Sequence, residues 1–194
     1  MRLILASASP RRRELLAACK FPFQIIPSMI DEHPLPDEPA EAYVCRLALA
    51  KAESVVQHHP DAVVLGADTI VTIAGLLLGK PRTLDEAQQM LNRLSGKEHQ
   101  VLTGVAVVAG RKAECSGGRY AQEVVASRVL MRHFTTATIE WYIATGEPLD
   151  KAGAYAVQGL GAALVERVEG SYTNVVGLPL TETFALLRRF GIVG

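Results

Sequence analysis

The sequence of 194 residues lacks an excess of charge of either sign, with 20 Lys+Arg set against 20 Asp+Glu. A protein that holds nucleic acid by bulk positive charge is thereby excluded, because there is no basic surplus to displace counterions. Long apolar runs are missing too. The greasiest stretches are interrupted every few residues by Gly, Asp, Lys or Pro, and none approaches the roughly 20 residues that a membrane-spanning helix requires. Cysteine is scarce and odd in number. Cys19, Cys45 and Cys115 lie far apart, have no zinc-site spacing, and read as buried free thiols, two of them inside apolar helical patterns. The opening segment, residues 1–6, is too short for the apolar region of a secretory signal and runs straight into Ser9-Pro10-Arg11-Arg12-Arg13. The expectation is a reduced, soluble, cytoplasmic protein. What the chain does have is the material for a core: 49% of it is apolar and 21% charged, which at roughly 150 residues per domain suits one globular unit.

Strand-like and helix-like segments interleave along the chain, which predicts an α/β class with a mixed sheet. Short apolar strands are expected at residues 2–6 and 24–27, then at 62–65 and 70–73 around Gly66-Ala67-Asp68-Thr69, with a return through 76–78. Two long strands at 101–109 and 121–133 follow, and shorter ones at 154–157 and 164–168. Helices are expected at residues 10–20, 40–58, 84–94, 137–145 and 180–190. The third is well marked, because Thr83 and Glu86 fit a capping box and Gly96 stands where the helix should end. The acidic, Pro-rich residues 31–39 form a loop.

Three positions conflict with ordinary structural preferences. Ser9 and Pro10 make a good helix start, yet Arg11, Arg12 and Arg13 crowd the end where the helix dipole favours acids. Either this is a solvated basic turn with Glu14 as partial counter-charge, or an anion such as phosphate sits there, with Ser7 and Ser9 adding hydroxyls. Lys51 falls in the middle of the apolar stripe formed by Tyr43, Val44, Leu47, Ala48 and Val55. It either snorkels outward or reaches a polyanion. Asp68 stands between two apolar strand-like runs, where burial is costly unless it binds something. It is a turn residue bonding its own backbone, or it holds a divalent metal or orients water. Asp31-Glu32 provides a second acidic pair in a loop, and Gly79-Lys80-Pro81 a further lysine after a strand. No Walker A loop, dinucleotide fingerprint, histidine ligand set or covalent nucleophile is present. Cations with a few carboxylates over the first 80 residues are what phosphoryl or nucleotidyl chemistry needs.

The motifs carry a resemblance. Leu5-Ala6-Ser7-Ala8-Ser9-Pro10-Arg11-Arg12-Arg13-Glu14-Leu15-Leu16 resembles the opening motif of the Maf family of nucleoside triphosphate pyrophosphatases. The similarity continues through Asp31-Glu32, Tyr43 to Lys51-Ala52, Gly66-Ala67-Asp68-Thr69, Gly79-Lys80-Pro81, His99-Gln100-Val101, Pro148 to Gly159, and Gly170-Ser171-Tyr172. It covers essentially the whole chain in the same order.

The resemblance implies an inosine-triphosphatase-like α/β fold, a single domain over residues 1–194 with no linker, in which a mixed elongated sheet and its helices form two lobes around a central cleft. It implies metal-dependent hydrolysis of a nucleoside triphosphate to the monophosphate and pyrophosphate, with Mg, Mn or Co as the metal. By motif matching Asp68 corresponds to the general base. Ser7, Arg11, Arg12, Lys51 and Lys80 match triphosphate positions beside the hydroxyl of Ser9, and Glu32 with Asp68 matches the metal site. Arg12, Thr69 and Gln158 match the branch of the family that resembles dTTP/UTP pyrophosphatases, with modified pyrimidine nucleotides as further candidate substrates. A Gln side chain both donates and accepts, as a uracil-type edge requires. A second branch, favouring 7-methyl-GTP, carries different residues at these positions. The alternatives are therefore a different base preference or a nucleotide-binding regulator of cell division. The expected partners are the nucleotide and a second copy of the chain in a homodimer, with no nucleic acid and no membrane.

Overall fold

Strands of two to twelve residues assemble the sheet. The computed structural model describes residues 1–113, 115 and 118–192; Glu114, in the polar stretch around Cys115, lies outside them. Strands β1 (Arg2–Leu5), β2 (Gln24–Ile25), β3 (Ala62–Ile73), β4 (Leu76–Leu78), β5 (Glu98–Ala109), β6 (Tyr120–Met131) and β7 (Val165–Glu169) form one sheet. Its order is β2-β1-β3-β5-β6-β7, with β4 paired to β3. β1 runs parallel to β2 and β3, whereas β3–β4 and β6–β7 are antiparallel, so the sheet is mixed as expected. The helices are α1 (Pro10–Ala18), α2 (Ala40–Val56), α3 (Leu84–Leu94), α4 (Thr136–Ala144), α5 (Tyr172–Val176) and α6 (Leu180–Arg189). Among the described residues no helix is long and apolar enough to cross a membrane.

The chain divides into two units. The first comprises Met1–Asp68, Thr103–Val125 and the chain from Gly177 on; the second comprises Thr69–Leu102 and Ala126–Val176. In the first unit the period-two alternation of β3 feeds two buried clusters. Val63, Leu65 and Ala67 join Leu3, Leu5 and Leu16, while Ala62 and Val64 join Ile4, Ala6, Ala52 and Val55. Asp68 has the parity of the second set, to which α2 contributes Ala52 and Val55, and this sets the acid on the α2 side of its strand.

Residues 62–73 are one continuous strand, not two strands around a turn at 66–69. The glycine that reads locally as a turn serves instead for close approach. A Cβ on Gly66 would lie 2.1 Å from Ala48 O, and one on Gly104 of β5 would lie 2.3 Å from Val44 O. The two glycines let α2 lie flush on β3 and β5.

The second unit packs α3 and α4 around Tyr142, Met131, Leu91 and Leu94, all buried. Thr83 caps α3 by accepting the Glu86 N–H at 3.1 Å. The Glu86 carboxylate returns to the Arg82 N–H at 2.7 Å, one residue before the cap, so the reciprocal half of the expected box is displaced. The strand expected at 154–157 does not form. Gly153 (φ +70) and Ala154 (φ +60) are both left-handed, and the segment runs instead through 3-10 turns at Glu147–Asp150, Ala152–Ala154 and Gly159–Leu164. Helix α5 was not foreseen.

Candidate active site

Helix α2 buries one face, and that face includes Lys51, 5% exposed. The snorkelling alternative is thus excluded. Lys51 Nζ donates to Asp68 Oδ1 at 2.6 Å and lies 2.7 Å from Glu32 Oε1. Asp68 is itself 7% exposed, while the Glu32 side chain is half-exposed. A buried acid and a buried base therefore answer one another, with the loop carboxylate as a third member. Removing one member of such a group leaves an uncompensated buried charge, which costs about 3–5 kcal/mol.

Glu32 is brought to this point by a strap that sequence reasoning missed. Tyr43, two helical turns before Lys51 on the same face, donates its hydroxyl to Glu32 O at 2.9 Å. Arg46 donates through Nη2 to His33 O at 3.2 Å and grips Glu38 bidentately, Nε and Nη2 each at 2.6 Å. Glu38 in turn accepts the Leu35 N–H at 3.0 Å. One helix thus supplies both the buried ammonium and the anchors of the loop that faces it. Burial, with Asp68 and Glu32 nearby, pushes the Tyr43 phenol up to about 12, which keeps it a donor. The available signal was the position of Tyr43 in the same stripe as Lys51.

At the start of α1, Ser9 is the N-cap; its hydroxyl accepts the Arg12 N–H at 3.5 Å, and its own N–H donates to Ser7 Oγ at 3.2 Å. Ser7 is buried. Arg12 folds back onto the protein, donating through Nη1 to Ala67 O at 2.9 Å and Ser7 Oγ at 3.4 Å, and through Nε to Gly177 O at 2.8 Å. Part of the conflict between this arginine and the helix dipole is therefore answered by backbone carbonyls. Burial pulls the Arg12 pKa down while Asp68 and then Glu32 oppose that shift, so the guanidinium shares their field. Arg11 is partly buried beside it, and Arg13 is exposed.

The first unit thus gathers Ser7, Arg12, Glu32, Lys51 and Asp68 with Ser9 and Arg11 on the adjoining helix start. Thr69, Lys80 and Gln158 belong to the second unit. Thr69 is half-buried on β3, Lys80 is exposed directly after β4, and Gln158 is half-buried before the turn Gly159–Leu164. The segment near Lys80 is tied down by the Gly153 N–H, which donates to Gly79 O at 3.0 Å.

Among the described residues no three His, Cys, Asp or Glu side chains gather to hold a metal ion. Two carboxylates do converge, because Glu32 and Asp68 both reach the same ammonium. Magnesium is commonly held by one or two carboxylates together with substrate phosphates and waters, not by a full protein cage. The donor set fits that pattern.

Comparison with known proteins adds a separate line of observation. A family profile described as Maf-like protein matches residues 2–190. A protein named dTTP/UTP pyrophosphatase from Myxococcus xanthus is 56% identical over 190 residues, covering 98% of this chain and 93% of its own. Proteins of the same name from Anaeromyxobacter dehalogenans and Moorella thermoacetica are each 53% identical, covering 98% of this chain and 94% and 96% of theirs. A solved structure described as a nucleoside-triphosphatase/dITP/XTP pyrophosphatase from Mycobacterium abscessus has a TM-score of 0.42 and 16% identity, covering 68% of this chain and 74% of that one.

Proposed function

The chain belongs to the Maf family, and from that membership and the carboxylates gathered on Lys51 we propose that it hydrolyses dTTP and UTP to the monophosphate and pyrophosphate. The observation that carries the reading is the ammonium of Lys51 held between buried Asp68 and the loop carboxylate of Glu32. An ammonium whose partners are acids is ready to exchange them for phosphate oxygens, and the acids it leaves are then available for a cation and a proton.

In this reading Lys51, Arg11, Arg12 and Lys80 hold the triphosphate, with Ser7 and Ser9 at the helix start. Asp68 and Glu32 would hold a divalent cation (Mg, Mn or Co), which when bound neutralises charge on the phosphate oxygens. Asp68 is the general base. It takes a proton from water as the water oxygen bonds to phosphorus at the α–β bridge, and the phosphorus–oxygen bond of that bridge breaks to release the two products. Arg12 stiffens the site from behind by holding the carbonyl of Ala67, the residue before Asp68. Arg12, Thr69 and Gln158 form the base-selecting set, in which the Gln158 amide meets the donor and acceptor of a uracil or thymine edge. The reading carries with it a cytoplasmic nucleotide pool as the place of work and a homodimer as the working form.

The test is pyrophosphate release from a panel of nucleoside triphosphates with and without divalent metal. Metal-dependent release from dTTP and UTP, with 7-methyl-GTP poor, is the expected result. Preference for 7-methyl-GTP would keep the hydrolase and discard the base assignment. Binding without release from any nucleotide would replace the enzyme with a nucleotide sensor.

A further inference from the structure

The second unit contains a part-buried arrangement that the proposed chemistry does not use. Helix α4 ends at Ala144 with Thr145 as its C-cap, and the left-handed backbone of Gly146 (φ +74) then turns the chain into Glu147. Glu147 Oε1 accepts from the hydroxyl of fully buried Tyr142 at 2.9 Å and from the Gly161 N–H at 2.9 Å; Oε2 accepts from the Leu160 N–H at 3.1 Å. Tyr142 Oη also accepts the Ala156 N–H at 3.3 Å, and Lys151 Nζ donates to Glu147 O at 2.7 Å. The fit is close on the chain side as well. A Cβ on Gly159, which has φ +65, would lie 2.8 Å from Glu147 Oε2, and one on Gly161 would lie 2.5 Å from Tyr142 Oη.

Leu160 and Gly161 are the second and third residues of the 3-10 turn Gly159–Leu164, and the residue before that turn is Gln158. The first N–H groups of a helical turn have no partner within it and are normally met by the side chain of the preceding residue. Here Gln158 makes no such capping bond. Glu147, eleven residues earlier in the chain, caps the turn in its place, with an ionised carboxylate that bonds N–H groups more strongly than a neutral cap. The side chain best placed to be consumed by the turn is thereby spared from it.

We infer that Glu147 is a positioning residue for base selection: its carboxylate caps the turn Gly159–Leu164 so that the Gln158 amide stays directed to the pyrimidine. The inference rests on the proposed role of Gln158. The carboxylate acts only through the loop and touches no nucleotide. Burial opposes the charge, but the hydrogen bonds from Gly161, Tyr142 and Leu160 and the nearby Lys151 together outweigh it and hold the Glu147 pKa below its ordinary value.

The experiment compares wild type, Glu147→Gln, Gln158→Ala and the double variant. Glu147→Gln keeps the size of the side chain but replaces one acceptor oxygen with a donor, so it cannot serve all three partners. Amide exchange at Leu160 and Gly161 is expected to quicken by about tenfold, and the preference for UTP over 7-methyl-GTP in kcat/KM to fall by about tenfold. The loss should lie in KM, with kcat for UTP within about threefold of wild type. The double variant should lose no more preference than Gln158→Ala alone, because the two residues act as one. Tyr142→Phe, which removes one donor to Glu147 and the acceptor of the Ala156 N–H, should shift preference the same way by a smaller factor, and it serves if Glu147→Gln fails to fold. A wild type that prefers UTP alongside a folded Glu147→Gln that prefers it equally would overturn the inference and leave the proposed function standing. A wild type with no preference for UTP would overturn both, and would do so before any variant is made.

Discussion

Asp68 in the first unit and Glu147 in the second are both acids drawn into protein surroundings, yet one is met by an ammonium and the other by neutral donors. Asp68 and Glu32 share Lys51 Nζ at 2.6 and 2.7 Å. Glu147 accepts a phenol and two peptide N–H groups at 2.9–3.1 Å. A lysine has a flexible stem and can carry its charge elsewhere. A peptide N–H moves only if the backbone moves with it. The first arrangement is suited to exchanging partners during a reaction cycle, and the second to fixing a loop.

The sharpest way to test this contrast is Asp68→Asn, which removes the charge but not the shape. Turnover is expected to fall by about 10²–10⁴-fold, the usual contribution of a general base, with nucleotide affinity by calorimetry little changed. Turnover within tenfold of wild type would remove Asp68 from the role of base.

Next in size is Lys51→Met, which strands Asp68 with no ammonium to face. Stability by denaturant titration should drop by about 3 kcal/mol, and millimolar Mg²⁺ should raise the melting temperature of the variant more than that of wild type. If the variant is as stable as wild type, the exchangeable-cation account of the first unit is wrong.

The neutral-partner pattern of the second unit extends to His99, which is buried, bonds Tyr155 Oη at 2.7 Å through Nε2, and has no hydrogen-bond partner for its buried Nδ1 among the described residues. Burial pushes its pKa down to about 4, against an ordinary value of about 6.5 in the unfolded chain. Between those values the unfolded chain binds a proton that the folded protein does not. This stability is complete above about pH 6.5 and is lost as pH falls toward about 4, a change of about 3 kcal/mol. His99→Gln should flatten that slope; an unchanged slope would assign the acid sensitivity elsewhere.

The smallest effect is expected at Thr83, where a neutral hydroxyl caps α3 at 3.1 Å. Thr83→Ala should cost ~1 kcal/mol by thermal or chemical denaturation. A loss comparable with that at Lys51 would erase the distinction between the two kinds of pairing.

Residues whose environment is built by near neighbours in the chain were readable before the structure. Lys51 stood out because helical periodicity alone places it among apolar residues, and the cap at Thr83 because its signals lie within four positions. The continuity of β3 was not readable, since a glycine between two apolar runs looks the same whether it turns the chain or makes room for a helix arriving from elsewhere. The strand expected at 154–157 follows an alternation that the left-handed backbone at Gly153 and Ala154 overrides. Glu147 and the Arg46–Glu38 strap were invisible for a related reason. Charged residues in polar, turn-rich segments look solvated until tertiary structure supplies their partners.

Gly66 also has a genetic meaning. Every amino acid that one base change can substitute for glycine carries a Cβ, and at this position that carbon would lie 2.1 Å from Ala48 O and 2.9 Å from Ala52 N. Lys51 lies between those two residues of α2, and Asp68 lies two residues beyond Gly66. Any missense allele at this codon must lift the helix, and in lifting it draws the ammonium away from its acid. Such alleles should behave as losses of function in which fold and chemistry fail together.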